Sequence, residues 1–120
     1  EIALVISAIG NHEEERGHAV NHVASALILA DKSDVHRSRV TTKDFAKFEI
    51  HDRVNYAVNH SQLRADKSQN SIALELTIDT NICPVMEYFE IFLQRMMMSR
   101  RAAEFLNCSF QLIINNYRLL

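Results

Sequence analysis

The sequence predicts an α+β domain, with an antiparallel sheet of three to five strands packed against one long N-terminal helix and a second helix at about 84–106. Two stretches carry apolar residues at spacings of three and four, which is typical of amphipathic helices. Other stretches alternate apolar and polar residues, which is typical of strands with one buried face. Because 120 residues is the usual size of one domain, residues 1–120 are expected to form a single α+β domain.

The first helix is predicted over residues 13–30. Val20, Val23 and Leu27 recur at helical spacing and form one apolar face. Acidic residues crowd its first turn, where the positive end of the helix dipole favours carboxylates. Gly17 lies inside this predicted helix, where glycine costs about 1 kcal/mol relative to alanine.

Strands are predicted where apolar residues alternate with polar ones. Apolar residues fill most even positions from 48 to 58, and again from 72 to 78, where the alternation is clearest. The polar residues 60–70 between these two segments are expected to form a loop. The apolar segment 2–9 is a candidate for a short first strand, and the apolar tail 110–120 is predicted to form the last strand.

The second helix is predicted to begin at Pro84, because proline is favoured in the first turn of a helix. The apolar residues that follow step by three and four along one seam, which indicates a face turned toward a core. The seam consists of Val85, Phe89, Phe92, Met96, Ser99, Ala103 and Leu106. Helices segregated onto an antiparallel sheet define the α+β class.

Composition excludes several classes of function. The chain has two glycines and one proline, whereas average usage would give about fourteen, so glycine-rich phosphate loops and dinucleotide-binding motifs are excluded. A net charge of -2 predicts neither a nucleic-acid nor a membrane partner. The longest apolar-rich run is far shorter than the roughly 20 residues of a membrane span. We expect no cofactor, and the absence of a G-x-S-x-G motif argues against an enzyme.

A cluster of histidines and glutamates within residues 12–22 offers an alternative metal site made of Glu15, His18 and His22. Glu15-x-x-His18 has the carboxylate and imidazole spacing of di-iron bundles, and His18 and His22 are an i, i+4 pair that could both bind one zinc ion. At about 100° per residue, these side chains lie opposite the apolar face of the first helix. We therefore prefer a solvated polar face and keep the metal site as an alternative.

The cysteines and the glycosylation motifs bear on the compartment. Cys83 and Cys108 could form one disulfide or remain two thiols, and the buried thiol is preferred. Asn-x-Ser motifs that begin at Asn59 and Asn107 permit a secreted protein.

Several short pieces of the chain carry a family resemblance when they are taken in order. They are Leu4-Val5 before Glu13-Glu14-Glu15, then Asp31-Lys32-Ser33, His36-Arg37-Ser38-Arg39, Val54-Asn55-Tyr56 and Cys108-Ser109-Phe110-Gln111. Together they resemble the type 2 cystatins, which are secreted inhibitors of papain-like cysteine proteases. The resemblance implies one long helix wrapped by an antiparallel sheet, and an extracellular protein. A cytoplasmic location is the alternative.

The resemblance also implies where a protease-binding wedge would lie. With Val54 as anchor, its central hairpin corresponds to Glu49, Ile50, His51, Asp52 and Arg53, and its second hairpin to Asn116 and Tyr117. A second register places the central hairpin at 69–73. The cystatin wedge depends on glycines and on a Pro-Trp pair, and neither occurs at these positions. The expected function is therefore a cystatin-like secreted binding protein with little or no inhibition, whose partner is a protein, with a papain-like protease as a weak candidate.

Two alternatives stay open. One is an unrelated α+β protein-interaction domain that forms a homodimer through its Met- and Phe-rich second helix, which contains the run Met96-Met97-Met98. The other is a metal-binding protein that uses the 12–22 cluster.

Overall fold

A computed structural model describes residues 1–13 and 16–120, which adopt an α+β fold. The helices are α1 (Ile2–Gly10), α2 (His22–Lys32), α3 (Ile50–Ala57) and α4 (Val85–Phe105). The strands are β1 (Val58–Asp66), β2 (Ser71–Ile78), β3 (Ser109–Ile114) and β4 (Tyr117–Arg118). Short 3-10 turns lie at Arg37–Arg39 and Phe45–Lys47. None of the helices in the described residues is long and apolar enough to cross a membrane.

The sheet is mixed, with the strand order β1-β2-β3-β4. β1 pairs antiparallel with β2, β2 pairs parallel with β3, and β3 pairs antiparallel with β4. The prediction of a purely antiparallel sheet is therefore wrong, although the strand number falls within the predicted three to five. The physical reason is α4, which crosses from the end of β2 back to the start of β3, and a crossover of this length is what joins parallel neighbours.

The core lies between the sheet and α4. Leu74 of β2 and Leu112 of β3 are register partners and are buried, as are Phe92 and Met96 of α4. The alternation in 72–78 and the seam of the second helix therefore identified core residues correctly. The observed bounds of α4 agree with the helix predicted at about 84–106.

The N-terminal part differs from the prediction of one long helix. The segment 2–9 is part of helix α1 rather than a strand, and α2 begins only at His22 and is 11 residues long. The side chain of Asn21 accepts a hydrogen bond from the Ala24 N–H at 2.8 Å, which caps the helix at this point. Val20 and Val23, predicted to be buried, are exposed. Val20 lies before the helix, and Val23 lies in its first turn but off the side that buries Ala24 and Ile28.

The predicted strand over 48–58 is also wrong, because residues 50–57 form α3. The Asp52 carboxylate accepts the Glu49 N–H at 3.2 Å and completes a capping box, a signal that starts a helix. Val54 and Ala57, three positions apart, are then buried on one side of the helix.

The predicted loop over 60–70 is mostly strand. β1 lies at the edge of the sheet and most of its side chains are exposed. A polar edge strand needs no apolar alternation, so its sequence resembled a loop.

Candidate interaction surface

An apolar groove runs along α4 on its exposed side. It has a volume of about 280 Å³ and is lined by Phe89, Leu93, Met97, Arg100, Leu119 and Leu120, with the buried Met96 at its floor. We call this feature the α4 groove. Leu93 is 54% exposed and Met97 is 47% exposed, so two large apolar side chains one turn apart face solvent.

The far wall of the groove is the C-terminal tail, which a main-chain hydrogen bond holds against β3 and a side-chain hydrogen bond braces internally. The Leu119 N–H donates to the Leu112 carbonyl at 2.8 Å, and the Arg118 Nε donates to the Leu120 carbonyl at 2.8 Å. Leu119 and Leu120 keep nearly half of their surface exposed. The groove is therefore built from a rigid helix and a tail anchored to β3.

Charges flank the apolar residues of the groove. The exposed Arg100 guanidinium lies 3.3 Å from the Glu104 carboxylate, an i, i+4 pair on the surface of α4. Glu90, one turn before Leu93, is also exposed. An apolar centre with a polar rim is the usual anatomy of a protein–protein interface.

A polar cluster joins the C-terminal end of α2 to the middle of α4. Lys32 is buried and lies 2.6 Å from the Asp31 carboxylate, and the Arg95 guanidinium donates to the Asp31 carbonyl at 2.8 Å. Burial alone would raise the pKa of Asp31, but the hydrogen bond and charge of Lys32, with the charges of Arg95 and His12, lower it below its ordinary value. The buried ammonium is thus paired, and the cluster fixes α2 against α4.

The predicted central wedge residues lie on a helix and not on a hairpin. Glu49 is the N-cap of α3, and Ile50, His51, Asp52 and Arg53 form its first turn.

The Arg53 side chain turns toward α4 and binds Glu87. Its guanidinium donates two hydrogen bonds to the Glu87 carboxylate, both at 2.9 Å, and this hydrogen bond lowers the pKa of Glu87. Arg53 therefore joins two helices.

Asn116 and Tyr117, the positions predicted for the second wedge hairpin, lie in the hairpin that joins β3 to β4. Asn115 and Asn116 have positive φ angles of 51° and 70°, and β3 and β4 pair on either side of them. Asparagine tolerates this left-handed conformation, which two-residue hairpin loops require. Tyr117 is 75% exposed beside the tip. Among the described residues, no hydrogen bond, ion pair or ring contact joins this tip to residues 49–53.

The alternative metal site is only partly within the described residues, because Glu15 lies outside them. His18 is an exposed residue before α2, and His22 is the first residue of α2, with its ring 5.5 Å from the Phe105 ring. The helical i, i+4 relation predicted for the two histidines is therefore wrong. The described residues contain no group of three His, Cys, Asp or Glu side chains placed to hold a metal ion. The metal alternative stays a prediction, which the zinc and iron content of natively purified protein tests.

The two cysteines are free thiols, so of the two options the unbridged one holds. Cys83 precedes α4 and Cys108 follows it, and 21 helical residues span about 30 Å. A disulfide requires Cα atoms within about 7 Å of each other. Cys83 is buried, and burial raises the pKa of its thiol.

Comparisons of the chain with protein families, with curated proteins and with solved structures find no match.

Part of the α4 groove could be identified from the sequence. Leu93 and Met97 are apolar residues off the buried seam of α4, and an i, i+4 apolar pair off the core face indicates a second contact surface. The contribution of Leu119 and Leu120 could not be predicted, because it depends on the two-residue turn that folds the tail back along β3.

Proposed function

We propose that this chain is an α+β protein-interaction domain that forms a homodimer through the α4 groove. The observation that supports it is the exposure of Leu93 and Met97 beside Leu119 and Leu120, in one groove along the longest described helix.

Several physical arguments support a protein contact at this place. Contiguous exposed apolar patches are uncommon on monomeric proteins and mark interaction sites when polar groups surround them. Methionine and leucine on a rigid helix fit the mode in which a partner helix lays its apolar face into a groove. The tail wall is held against β3 by the Leu119 hydrogen bond, so both walls of the groove are formed before any partner binds.

The test is the oligomeric state of the purified chain, measured by sedimentation velocity over a range of protein concentrations. We expect a reversible dimer. In Leu93→Gln, which removes the apolar side chain but keeps a good helix former, we expect the dissociation constant to rise at least about tenfold.

The matched control is Val23→Gln. Val23 is an exposed apolar residue of α2, so it lies outside α4 and does not line the groove. We expect this variant to dimerise as the unmodified chain does. A chain that stays monomeric up to about 1 mM, the weak end of specific association, would overturn the proposal, and so would equal effects of the two substitutions.

A second candidate function is the secreted cystatin-like binding protein with little or no protease inhibition. The observation that favours it is the position of Asn116 and Tyr117 at an exposed hairpin tip, as the resemblance implies. The test is a titration against papain together with a binding assay on papain whose active-site cysteine is blocked. We expect weak binding and little inhibition, both reduced in Tyr117→Ala. Tight inhibition, or no binding at all, would overturn this candidate.

A further inference from the structure

The charged and apolar residues on the exposed side of α4 follow a symmetric pattern. Glu90, Leu93, Met97 and Arg100 are separated by three, four and three positions, with an acid at one end and a base at the other. At about 100° per residue, all of them fall within an arc of about 80°. All are exposed, so they form one strip along the helix. We call this the 90–100 strip.

Such a strip is complementary to itself when it is reversed. If a second copy packs antiparallel with the two-fold axis at position 95, Leu93 of one copy lies beside Met97 of the other. The same arrangement places each Glu90 beside the other copy's Arg100. Two opposite-charge contacts then flank an apolar centre, which is a self-complementary two-fold interface.

A parallel pair makes the opposite arrangement. It sets Glu90 against Glu90 and Arg100 against Arg100, and juxtaposed like charges are unfavourable. The intrahelical contact between Arg100 and Glu104 does not prevent the antiparallel contact. It is an exposed pair at 3.3 Å, a kind of pair that is weak and readily exchanged. In the antiparallel register Glu104 of one copy lies beside Met86 of the other, so Glu104 faces no acidic residue.

We propose that the partner in the α4 groove is an antiparallel second copy, and that Glu90 and Arg100 determine its orientation and register. This inference rests on the proposed homodimer and specifies its geometry.

The experiment is a charge-reversal cycle measured by sedimentation at low ionic strength, where surface charges are least screened. Glu90→Lys alone and Arg100→Glu alone each turn two attractive contacts into repulsive ones. We expect the dissociation constant of either variant to rise roughly tenfold. The double variant Glu90→Lys/Arg100→Glu restores both contacts with reversed polarity and should dimerise as the unmodified chain does.

Mixing the two single variants sharpens the test. In the mixed dimer each cross-contact again joins an acid to a base, so we expect heterodimers to dominate over both homodimers. Added salt should weaken this preference. Thermal melting of each variant at fixed concentration verifies that the fold is retained.

The outcomes separate this inference from the function on which it rests. If the unmodified chain dimerises but Glu90→Lys does not weaken it, or the double variant is not restored, the antiparallel arrangement is overturned and the homodimer stands. If the unmodified chain is monomeric, both are overturned.

Discussion

Residues 1–57 and residues 58–120 contribute very differently to the core. Of the twenty buried residues that form the hydrophobic cluster in the described part of the chain, five lie before residue 58. In the C-terminal region α4 packs against β2 and β3, and all three elements bury side chains. The N-terminal region begins with α1, which buries only Ala8 among its described side chains and exposes Ile2, Ile6 and Ile9.

The difference indicates which region stabilises the other. The N-terminal region is attached through α2, through the Asp31 and Lys32 cluster at Arg95, and through the Arg53 contact with Glu87. These contacts end on α4, and hydrogen bonds from Ser61 to the Ser33 carbonyl and from the Asp79 N–H to the Ala57 carbonyl join the two regions at β1 and after β2. We therefore expect the C-terminal region to determine global stability, and the following predictions test that expectation.

The largest effect is expected from Leu112→Ala in the centre of the C-terminal region. Leu112 is fully buried, so its truncation leaves a cavity and should lower the free energy of unfolding by about 2–5 kcal/mol. Chemical denaturation measures the loss. Leu63→Ala is the matched control, because Leu63, Leu74 and Leu112 lie in one row across three strands but Leu63 is 36% exposed. Leu63→Ala should lower the free energy of unfolding by less than about 1 kcal/mol. Equal losses would show that the edge strand is covered in solution.

The same contrast explains how much of the fold the sequence could predict. β2 and α4 are long, regular and buried on a continuous face, so the apolar periodicity of residues 72–78 and of the helical seam reflects their packing directly. In residues 48–58 the same alternation predicted a strand, which is wrong because the capping box of Glu49 and Asp52 starts a helix there. The exposed β1 carries no periodic signal, so its place in the sheet depends on pairing with β2.

The α4 groove also has one part that the sequence predicts and one part that it does not. The exposure of Leu93 and Met97 could be predicted from their position off the buried seam, since the seam itself was predicted correctly. The tail wall of the groove depends on the Asn115-Asn116 turn and on hydrogen bonds to β3, which no local pattern encodes.

The second-largest effect is expected from Gly17→Ala in the N-terminal region. Inside a helix, alanine in place of glycine would stabilise the protein. Gly17, however, lies before α2, and main-chain atoms pack closely against Gly17. A Cβ at this position would overlap the carbonyl oxygens of Asn11 and Glu13. We expect the free energy of unfolding to fall by about 1–3 kcal/mol.

Gly10→Ala is the control for Gly17→Ala. Gly10 is the last residue of α1, and apart from its chain neighbours and the backbone of its own helix no atom lies within 4 Å of a Cβ added there. Alanine at this position should be neutral or should stabilise by up to about 1 kcal/mol. A stabilising Gly17→Ala would instead support the continuous helix over 13–30. Denaturant titration of both variants distinguishes the two results.

A smaller effect is expected from breaking the contact between Arg53 and Glu87, which joins the two regions. Because Arg53 lowers the pKa of Glu87 in the folded protein, this contact stabilises fully above the ordinary glutamate value of 4.5. Its contribution is lost as the pH falls through the lowered pKa. Glu87→Gln should therefore lower the melting temperature near neutral pH and reduce its drop on acidification below about pH 4.5.

The control for Glu87→Gln is Glu104→Gln at the exposed pair with Arg100, which should change the acid profile less. An unchanged acid profile in Glu87→Gln would mean that the two regions are not joined through this contact.

The smallest effect is expected from Ile6→Ser in α1. Ile6 is 64% exposed, and isoleucine and serine have similar helix propensities, so the substitution tests burial alone. If α1 is as exposed as the structure shows, the free energy of unfolding changes by less than about 0.5 kcal/mol. A loss of 1–3 kcal/mol, roughly the value of burying such a side chain, would show that α1 is covered in solution. Repeating the measurement at two protein concentrations then identifies what covers α1. A loss that depends on protein concentration indicates a second copy, and a loss that does not indicates an intramolecular contact.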